Sequence, residues 1–473
     1  MLFSTILFLF RFLPITLLLY YLSPPKMKNT TLFLCSLVFY CWGEVRFFGI
    51  MAAVILINYI CGILISRFAA NPALKRLFLI LSIAGSLGML LYFKYSNFFI
   101  ENINTLFGAS IPLIQNLVLP LGISFYTFQS MSYTIDVYWN RVPSEKNIVN
   151  FGAYVVMFPQ LIAGPIVRYS EINERLHIYK NRVTLDRVEE GIMQFTFGLA
   201  KKVLVADGVN RLWTDIIGQY KGGSLSQAGI GLENVSTPLA WLGMLAYTLY
   251  IYYDFSGYSL MGIGMGKMLG FDFHMNFNLP YISKSITEFW RRWHISLSSW
   301  FKEYVYIPLG GNRKGLPRQF LNIFIVWFLT GFWHGANWNF IFWGLYYCFF
   351  LILEKTFMLK VLEKGKGWQH LYTMLIVIVG WALFVGSDPG VSLPVLLNKM
   401  FVPQGGVSAL YLLRNYAGIL AVGIFFSTSI PEKLYNKVKH LTWVRIVIML
   451  GLLAICITYM VAGGYSPFLY FRF

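Results

Sequence analysis

Two histidines in this sequence stand where an ionisable side chain is least expected. His334 follows Gly331-Phe332-Trp333 and precedes Gly335, inside the run Gln319 to Leu353, which contains no Asp, Glu, Lys or Arg. Such a group at membrane depth is costly and is a functional hypothesis by default. An imidazole, with an ordinary pKa of about 6.5, becomes neutral on burial and is then able to take a proton. His294 lies in Ser285 to Tyr306, where Ser285-Ile286-Thr287-Glu288 fits a capping box. Ile286, Phe289, Trp290, Trp293, Leu297, Trp300 and Tyr304 recur every three or four positions, opposite Arg291, Arg292, Ser299, Lys302 and Glu303. The spacing predicts one continuous helix over Ser285 to Tyr306 with His294 on the border of its two faces, able to meet a polar cavity while the stripe packs. For each histidine, spacing alone fits equally a ring whose nitrogens satisfy a neighbouring carbonyl. Asp136 and Asp254, set among aromatic residues, would either orient a histidine or pair with an arginine inside the bundle. His177, His370 and His440 fall in polar loops, and His274 flanks an apolar turn.

Other chemistries fall away. There is no G-x-S-x-G, H-E-x-x-H or G-x-x-x-x-G-K-[ST]. The five cysteines (Cys35, Cys41, Cys61, Cys348 and Cys456) sit in or beside apolar runs without C-x-x-C spacing. They read as small buried residues, and no metal site is expected.

The elements that must position the histidines follow from composition. Of 473 residues, 57% are hydrophobic and 12% charged, against roughly a quarter charged in soluble domains. A soluble globular enzyme is excluded. Apolar runs near a crossing length of about 20 residues recur near 1–22, 31–65, 77–93, 111–139, 149–167, 191–208, 237–270, 319–353, 371–387, 411–430 and 443–463. We expect an all-α, multi-pass membrane protein forming a single domain over 1–473. It would have N-terminal helices over 1–145, a motif-bearing core over 150–345 and C-terminal helices over 371–473, with roughly ten to twelve crossings in all. The amino-terminal run, with Arg11 inside it and no small-x-small cleavage site, reads as a retained span. The net charge of +18 sits in short connections, where it sets topology with basic loops cytoplasmic. It carries no expectation of nucleic-acid binding.

Two stretches interrupt the regular count. Asn150 to Val167 joins two basic loops and contains Pro159, Gly164 and Pro165. Broken backbone is tolerated at membrane depth only where protein or a water-filled cavity covers it, so Phe158 to Pro165 is a candidate cavity lining; a Pro-kinked helix fits as well. Gln319 to Leu353 is too long for one crossing and too short for two, which predicts a helical hairpin with its turn near Gly331 to Gly335 and His334 at the tip. Gly262, Gly266 and Gly270 form a small-x-x-x-small ladder for close helix approach.

Five stretches resemble the membrane-bound O-acyltransferase superfamily, in particular the branch typified by bacterial alginate O-acetyltransferase. They are Phe158 to Tyr169, Tyr253-Asp-Phe-Ser-Gly-Tyr258, Asn276 to Trp300, Tyr306-Ile-Pro-Leu-Gly-Gly-Asn-Arg313 and Trp333-His-Gly335; the ending Tyr465 to Phe473 is also similar. The resemblance implies helices around a central tunnel, with His334 as catalytic residue and His294 as the second functional histidine. It implies substrate-binding roles for Gln160, Arg168, Asp254, Arg291, Trp293, Trp333 and Asn337; arginines 168, 291, 292 and 313 would either bind donor phosphates or, the favoured reading, serve as positive-inside anchors. No bound cofactor is implied. The donor would be acetyl-CoA or another cytoplasmic acyl thioester, and the acceptor an extracytoplasmic polysaccharide or a partner acetyltransferase outside the bacterial inner membrane. Leu260 departs from the Asp expected in many alginate-type sequences. That leaves open a D-alanyl transferase of teichoic acid fed by a carrier protein, and, outside enzymes, an acyl or proton conduit.

Overall fold

Backbone amides and carbonyls surrounded by hydrocarbon must bond within their own segment, which makes the helix the default element of a chain built from long apolar runs. The computed structural model describes residues 2–161, 164–178, 183–221, 224–365 and 367–463 and is helical almost throughout. Its sheet is a short antiparallel pair, Gln219–Lys221 with Ser224–Gln227. Ile162 and Ala163 of the expected cavity lining, and the ending Tyr465 to Phe473, lie outside the described residues.

In chain order the helices are α1 (Leu13–Leu22), α2 (Lys28–Glu44), α3 (Phe48–Arg67), α4 (Pro72–Phe107), α5 (Ile123–Tyr138), α6 (Ile148–Val156), α7 (Phe158–Leu161), α8 (Tyr169–His177), α9 (Leu185–Ala200), α10 (Asp207–Ile217) and α11 (Thr237–Met268). They continue with α12 (Ile286–Arg292), α13 (Ile295–Phe301), α14 (Gly315–His334), α15 (Trp338–Leu353), α16 (Leu359–Glu363), α17 (Trp368–Val385), α18 (Leu393–Phe401), α19 (Ala409–Phe426), α20 (Ile430–Val438) and α21 (Thr442–Gly463). Five stretches among the described residues are long and apolar enough to cross a bilayer: Pro25–Arg67, Pro72–Phe107, Trp368–Val385, Ala409–Phe426 and Thr442–Ala462. The chain is an all-α membrane protein. Its contacts divide it into two compact units, Met1–Phe195 with Tyr258–Met275, and Thr196–Gly257 with Asn276–Phe473.

In the first unit, α5 is buried on every side from Ile123 to Val137, which explains why its sequence shows no polar face. Side-chain hydrogen bonds tie α3 to α4: Asn58 Nδ2 donates to Ser86 Oγ at 2.7 Å, and Ser82 Oγ donates to Asn58 Oδ1 at 2.7 Å. The Asn150 to Val167 stretch is a broken segment. Helix α6 stops at Val156, Met157 is extended in ψ, and a single turn, α7, follows. A Cβ at Gly262 of α11 would overlap the Pro159 carbonyl, and Gly264 faces the Gly191 carbonyl of α9. Of the small-residue ladder, Gly262 therefore admits close backbone approach, while Gly266 faces the Phe273 ring. Gly270, however, lies past the end of α11 with φ of +86°; it lets the chain turn and is no part of a helix face.

The second unit holds a fully buried ion pair. Lys202 Nζ, in the π-helical turn Lys201–Ala206, lies 2.7 Å from Asp254 Oδ1 of α11, with both side chains at 0% exposure, and 2.7 Å from Asp207 Oδ1. In the same unit the run Gln319 to Leu353 forms the expected hairpin, with α14 ending at His334 and α15 starting at Trp338. The two helices touch backbone to backbone: a Cβ at Gly331 would overlap the Phe340 carbonyl, and one at Gly344 the Trp327 carbonyl.

Two outcomes are expected. Gly331→Ala or Gly344→Ala should destabilise the purified protein by about 1–3 kcal/mol, because a rigid carbonyl leaves the methyl no room. Thermal unfolding in detergent reads this, and a melting temperature equal to wild type would contradict the packing. Asp254→Asn or Lys202→Met should reduce the yield of folded protein sharply, since breaking a buried pair costs about 3–5 kcal/mol. The double substitution Lys202→Met with Asp254→Leu should recover much of that yield in detergent size-exclusion profiles.

Candidate active site

The helix expected over Ser285 to Tyr306 is in fact two helices and a π turn, and the break falls on His294. Helix α12 begins with half of the expected capping box: Ser285 Oγ accepts from the Glu288 N–H at 3.0 Å, while the Glu288 carboxylate accepts from the Lys284 N–H at 2.9 Å, one residue before the cap. The buried Glu354 carboxylate adds bonds from the N–H groups of Ile286 at 2.6 Å and Thr287 at 2.8 Å. After Arg292 the chain becomes extended at Trp293, and His294 takes φ of +43° and ψ of +53° before α13 begins. A left-handed residue other than glycine costs roughly 1–2 kcal/mol and persists only where its surroundings impose it. Here the segment around Asn276 does so. The Ile295 N–H donates to the Asn276 carbonyl at 2.9 Å, and the Asn278 N–H donates to the Arg292 carbonyl at 2.9 Å. The apolar periodicity continues across the break, and the backbone partner that permits the break lies upstream in sequence. Beyond α13, Lys302–Tyr306 forms the π turn.

The break points the His294 ring into packed surroundings. It is buried at 2% exposure, edge-on to Phe255 at 4.8 Å and 6.2 Å from the Trp333 ring. Its Nδ1 lies 3.3 Å from Asn276 Oδ1, while Nε2 is buried with no hydrogen-bond partner. His294 lies outside the five membrane-crossing stretches, and burial pushes its pKa down to about 3, so the ring is neutral. His334, the last residue of α14, is 8% exposed and meets the rings of Trp343 at 5.0 Å and Phe384 at 5.4 Å edge to face.

Both histidines line one cavity of about 280 Å³. Trp290, Trp293 and Trp327 give it apolar walls, and Arg291, Lys302 and Lys355 give it charge. These three cations are exposed, and none has a carboxylate partner among the described residues. The arrangement can hold an acyl chain against indole faces, accept an anionic group at the lysines and arginine, and offer a neutral imidazole between them.

The remaining expected site residues are distributed as follows. Trp293 lines the cavity, and Trp333 stands between the two imidazoles, 5.1 Å from the His334 ring. Asn337 caps α15, its side chain accepting from the Asn339 N–H at 2.9 Å. Asp254 is held by Lys202. Gln160 and Arg168 belong to the first unit; Gln160 is fully buried with its amide donating to the Tyr154 carbonyl, and Arg168 bonds Glu171 at 2.6 Å. Arg292 pairs with Glu288 at 2.9 Å. Asp136, also in the first unit, lies 3.5 Å from Arg141. Sequence reasoning passed over Asn276, Lys302 and Lys355. Lys302 read as the polar face of a helix and Lys355 as a topology signal, and no pattern marks an asparagine whose partner is eighteen positions away.

Residues 90–388 match the model of MBOAT, the membrane-bound O-acyltransferase family. The chain is 38% identical to the probable alginate O-acetylase AlgI of Pseudomonas putida, with all of both chains covered. It is 43% identical to the probable alginate O-acetylase AlgI of Azotobacter vinelandii over 81% of this chain and 75% of that one. It is also 32% identical to the peptidoglycan O-acetyltransferase of Helicobacter pylori, over 100% of this chain and 98% of that protein. A family match over most of the chain, joined to relatives aligned along its full length, means that this chain belongs to the membrane-bound O-acyltransferase family and is an O-acyltransferase of its alginate O-acetylase-like branch.

Proposed function

We propose that the protein moves an acetyl group from a cytoplasmic thioester donor to a hydroxyl of an extracytoplasmic polysaccharide, directly or through a partner acetyltransferase, in the inner membrane of a bacterium. The observation that carries this reading is the convergence of His294, His334 and three carboxylate-free cations on one tryptophan-walled cavity. The names of the alginate and peptidoglycan relatives support a glycan acceptor. Ten to twelve crossings would complete the topology, with shorter helices such as α14 and α15 adding to the five long ones.

In the reaction, the acceptor hydroxyl oxygen attacks the thioester carbonyl carbon. His334 takes the hydroxyl proton, the new C–O bond forms, the C–S bond breaks, and the thiolate leaves with that proton. His294 relays the proton or positions the thioester. Neither a nucleotide-bearing thioester nor a polysaccharide crosses about 30 Å of hydrocarbon, so the two must meet inside the protein. Arg291, Lys302 and Lys355 would hold donor phosphates, since a guanidinium and ammonium groups suit phosphate oxygens. Arg168 and Arg292, already paired with Glu171 and Glu288, are less suited to that task.

Removal of a general base lowers rate by about 10²–10⁴-fold. His334→Ala and His294→Ala, inserted at normal levels, should therefore abolish glycan O-acetyl groups while polymer is still made, as read by glycan acetyl analysis in cells. Acetylation within a few fold of wild type in the His334→Ala strain would refute the assignment. Ala substitutions at Arg291, Lys302 and Lys355 should raise KM for acetyl-CoA about tenfold or more in combination, and much less for acetyl-pantetheine, which lacks the phosphates. An equal effect on both donors would remove the phosphate role. Activity with an acyl carrier protein and none with acetyl-CoA would identify the thioester as carrier-borne.

A further inference from the structure

We infer that Asn276 is a positioning residue for the acyl transfer: its side-chain oxygen fixes the His294 ring so that Nδ1 carries the proton and Nε2 presents its lone pair. This rests on the proposed reaction and adds to it the atom through which His294 acts.

The tautomer follows from the hydrogen-bond pattern. The atom of Asn276 that faces His294 also faces the Ser296 backbone N–H at 3.1 Å and the Ser296 hydroxyl at 2.9 Å. A backbone N–H only donates, so the atom opposite must be the amide oxygen, and the reversed amide is excluded by donor meeting donor. With oxygen there, His294 Nδ1 at 3.3 Å is a partner only when it bears hydrogen. A neutral imidazole carries one ring proton, so Nε2 is left as the acceptor. That nitrogen is buried and unpartnered, in a residue that lines the cavity. The same asparagine accepts the Ile295 N–H on its main-chain carbonyl at 2.9 Å, so one residue sets both the left-handed backbone of His294 and the rotation of its ring. The amide NH2 of Asn276 has no partner of its own, which leaves the oxygen as the working half of the side chain.

Besides His294, the charged and titratable groups on the cavity walls are Arg291, Lys302, Lys355, His334 and Tyr306, and no carboxylate lines it among the described residues. Burial opposes protonation of His294, and a backbone hydrogen bond favours it more weakly. A carboxylate placed at position 276 would add a negative charge that favours it.

The test compares wild type, Asn276→Asp, Asn276→Ala and His294→Ala in detergent, with acetyl-CoA or an acyl carrier thioester as donor and an oligosaccharide acceptor. Thiol release and ester formation are followed across about pH 3–9. Wild type must first transfer; if it does not with either donor, the acyl-transfer reading fails and not the placement of Asn276. Given transfer, Asn276→Asp keeps the oxygen and adds charge. It should fold like wild type and retain activity at high pH, with the acid limb of its kcat profile about one unit or more higher. Asn276→Ala should lower kcat about tenfold or more while KM for the donor changes less than about threefold. An Asn276→Asp profile that overlays wild type, or an Asn276→Ala variant that loses KM and kcat together with its fold, would overturn the proposal. So would full activity of His294→Ala.

Discussion

A backbone break inside an apolar protein is stable only if something else takes over the bonds it releases, and the site depends on one such substitution of partners. Between α12 and α13 the helical ladder is interrupted, and the freed groups at Arg292 and Ile295 are taken by Asn278 and Asn276. The exchange converts a border position on a helix into a residue whose ring projects from a corner. Without the Asn276 segment the left-handed turn at His294 would have nothing to hold it, and the ring would follow the regular spiral of its neighbours. The hairpin supplies the other wall. Close glycine contacts hold α14 against α15, and His334 comes at the end of α14, where the chain must turn.

Glu354 links these two constructions. It lies directly after α15 and bonds the first N–H groups of α12, so the helix leading away from His334 is fastened to the helix leading towards His294. The carboxylate is 1% exposed, which is tolerable because its oxygens accept from two backbone donors at the positive end of a helix. The cavity therefore has walls tied together by bonds from the α12 main chain to the Glu354 side chain, and tryptophans line the space between them.

Much of this was legible in the residues. The hairpin followed from a length argument, and the broken segment near Pro159 from proline and glycine among apolar residues. Both histidines stood out because ionisable groups are rare in such runs. What escaped was nonlocal. A continuous stripe from Ile286 to Tyr304 reports which side chains are apolar, and it is blind to a change of path at His294 that preserves apolar packing on both sides. Asp254 could be read only as a carboxylate needing a partner; that the partner is a lysine, on a π turn, requires the fold. Of the cations at the cavity, Arg291 was legible as a candidate, while Lys302 read as a polar helix face and Lys355 as a topology signal, because charge in sequence carries no record of whether an acid stands beside it.

The Lys202–Asp254 pair has a consequence for biogenesis. A lysine or aspartate at the centre of an inserting helix costs about 2.5–3.5 kcal/mol on the translocon scale. Lys202 emerges from the ribosome with Asp207, a quarter exposed, as its local partner, whereas the fully buried Asp254 pairs with a lysine made earlier in the chain. Chain order therefore sets the order of pairing: the local pair comes first, and α11 on arrival meets a lysine already in place. A protein cut between α10 and α11 would keep the Lys202–Asp207 pair and lack the fully buried half of the cluster.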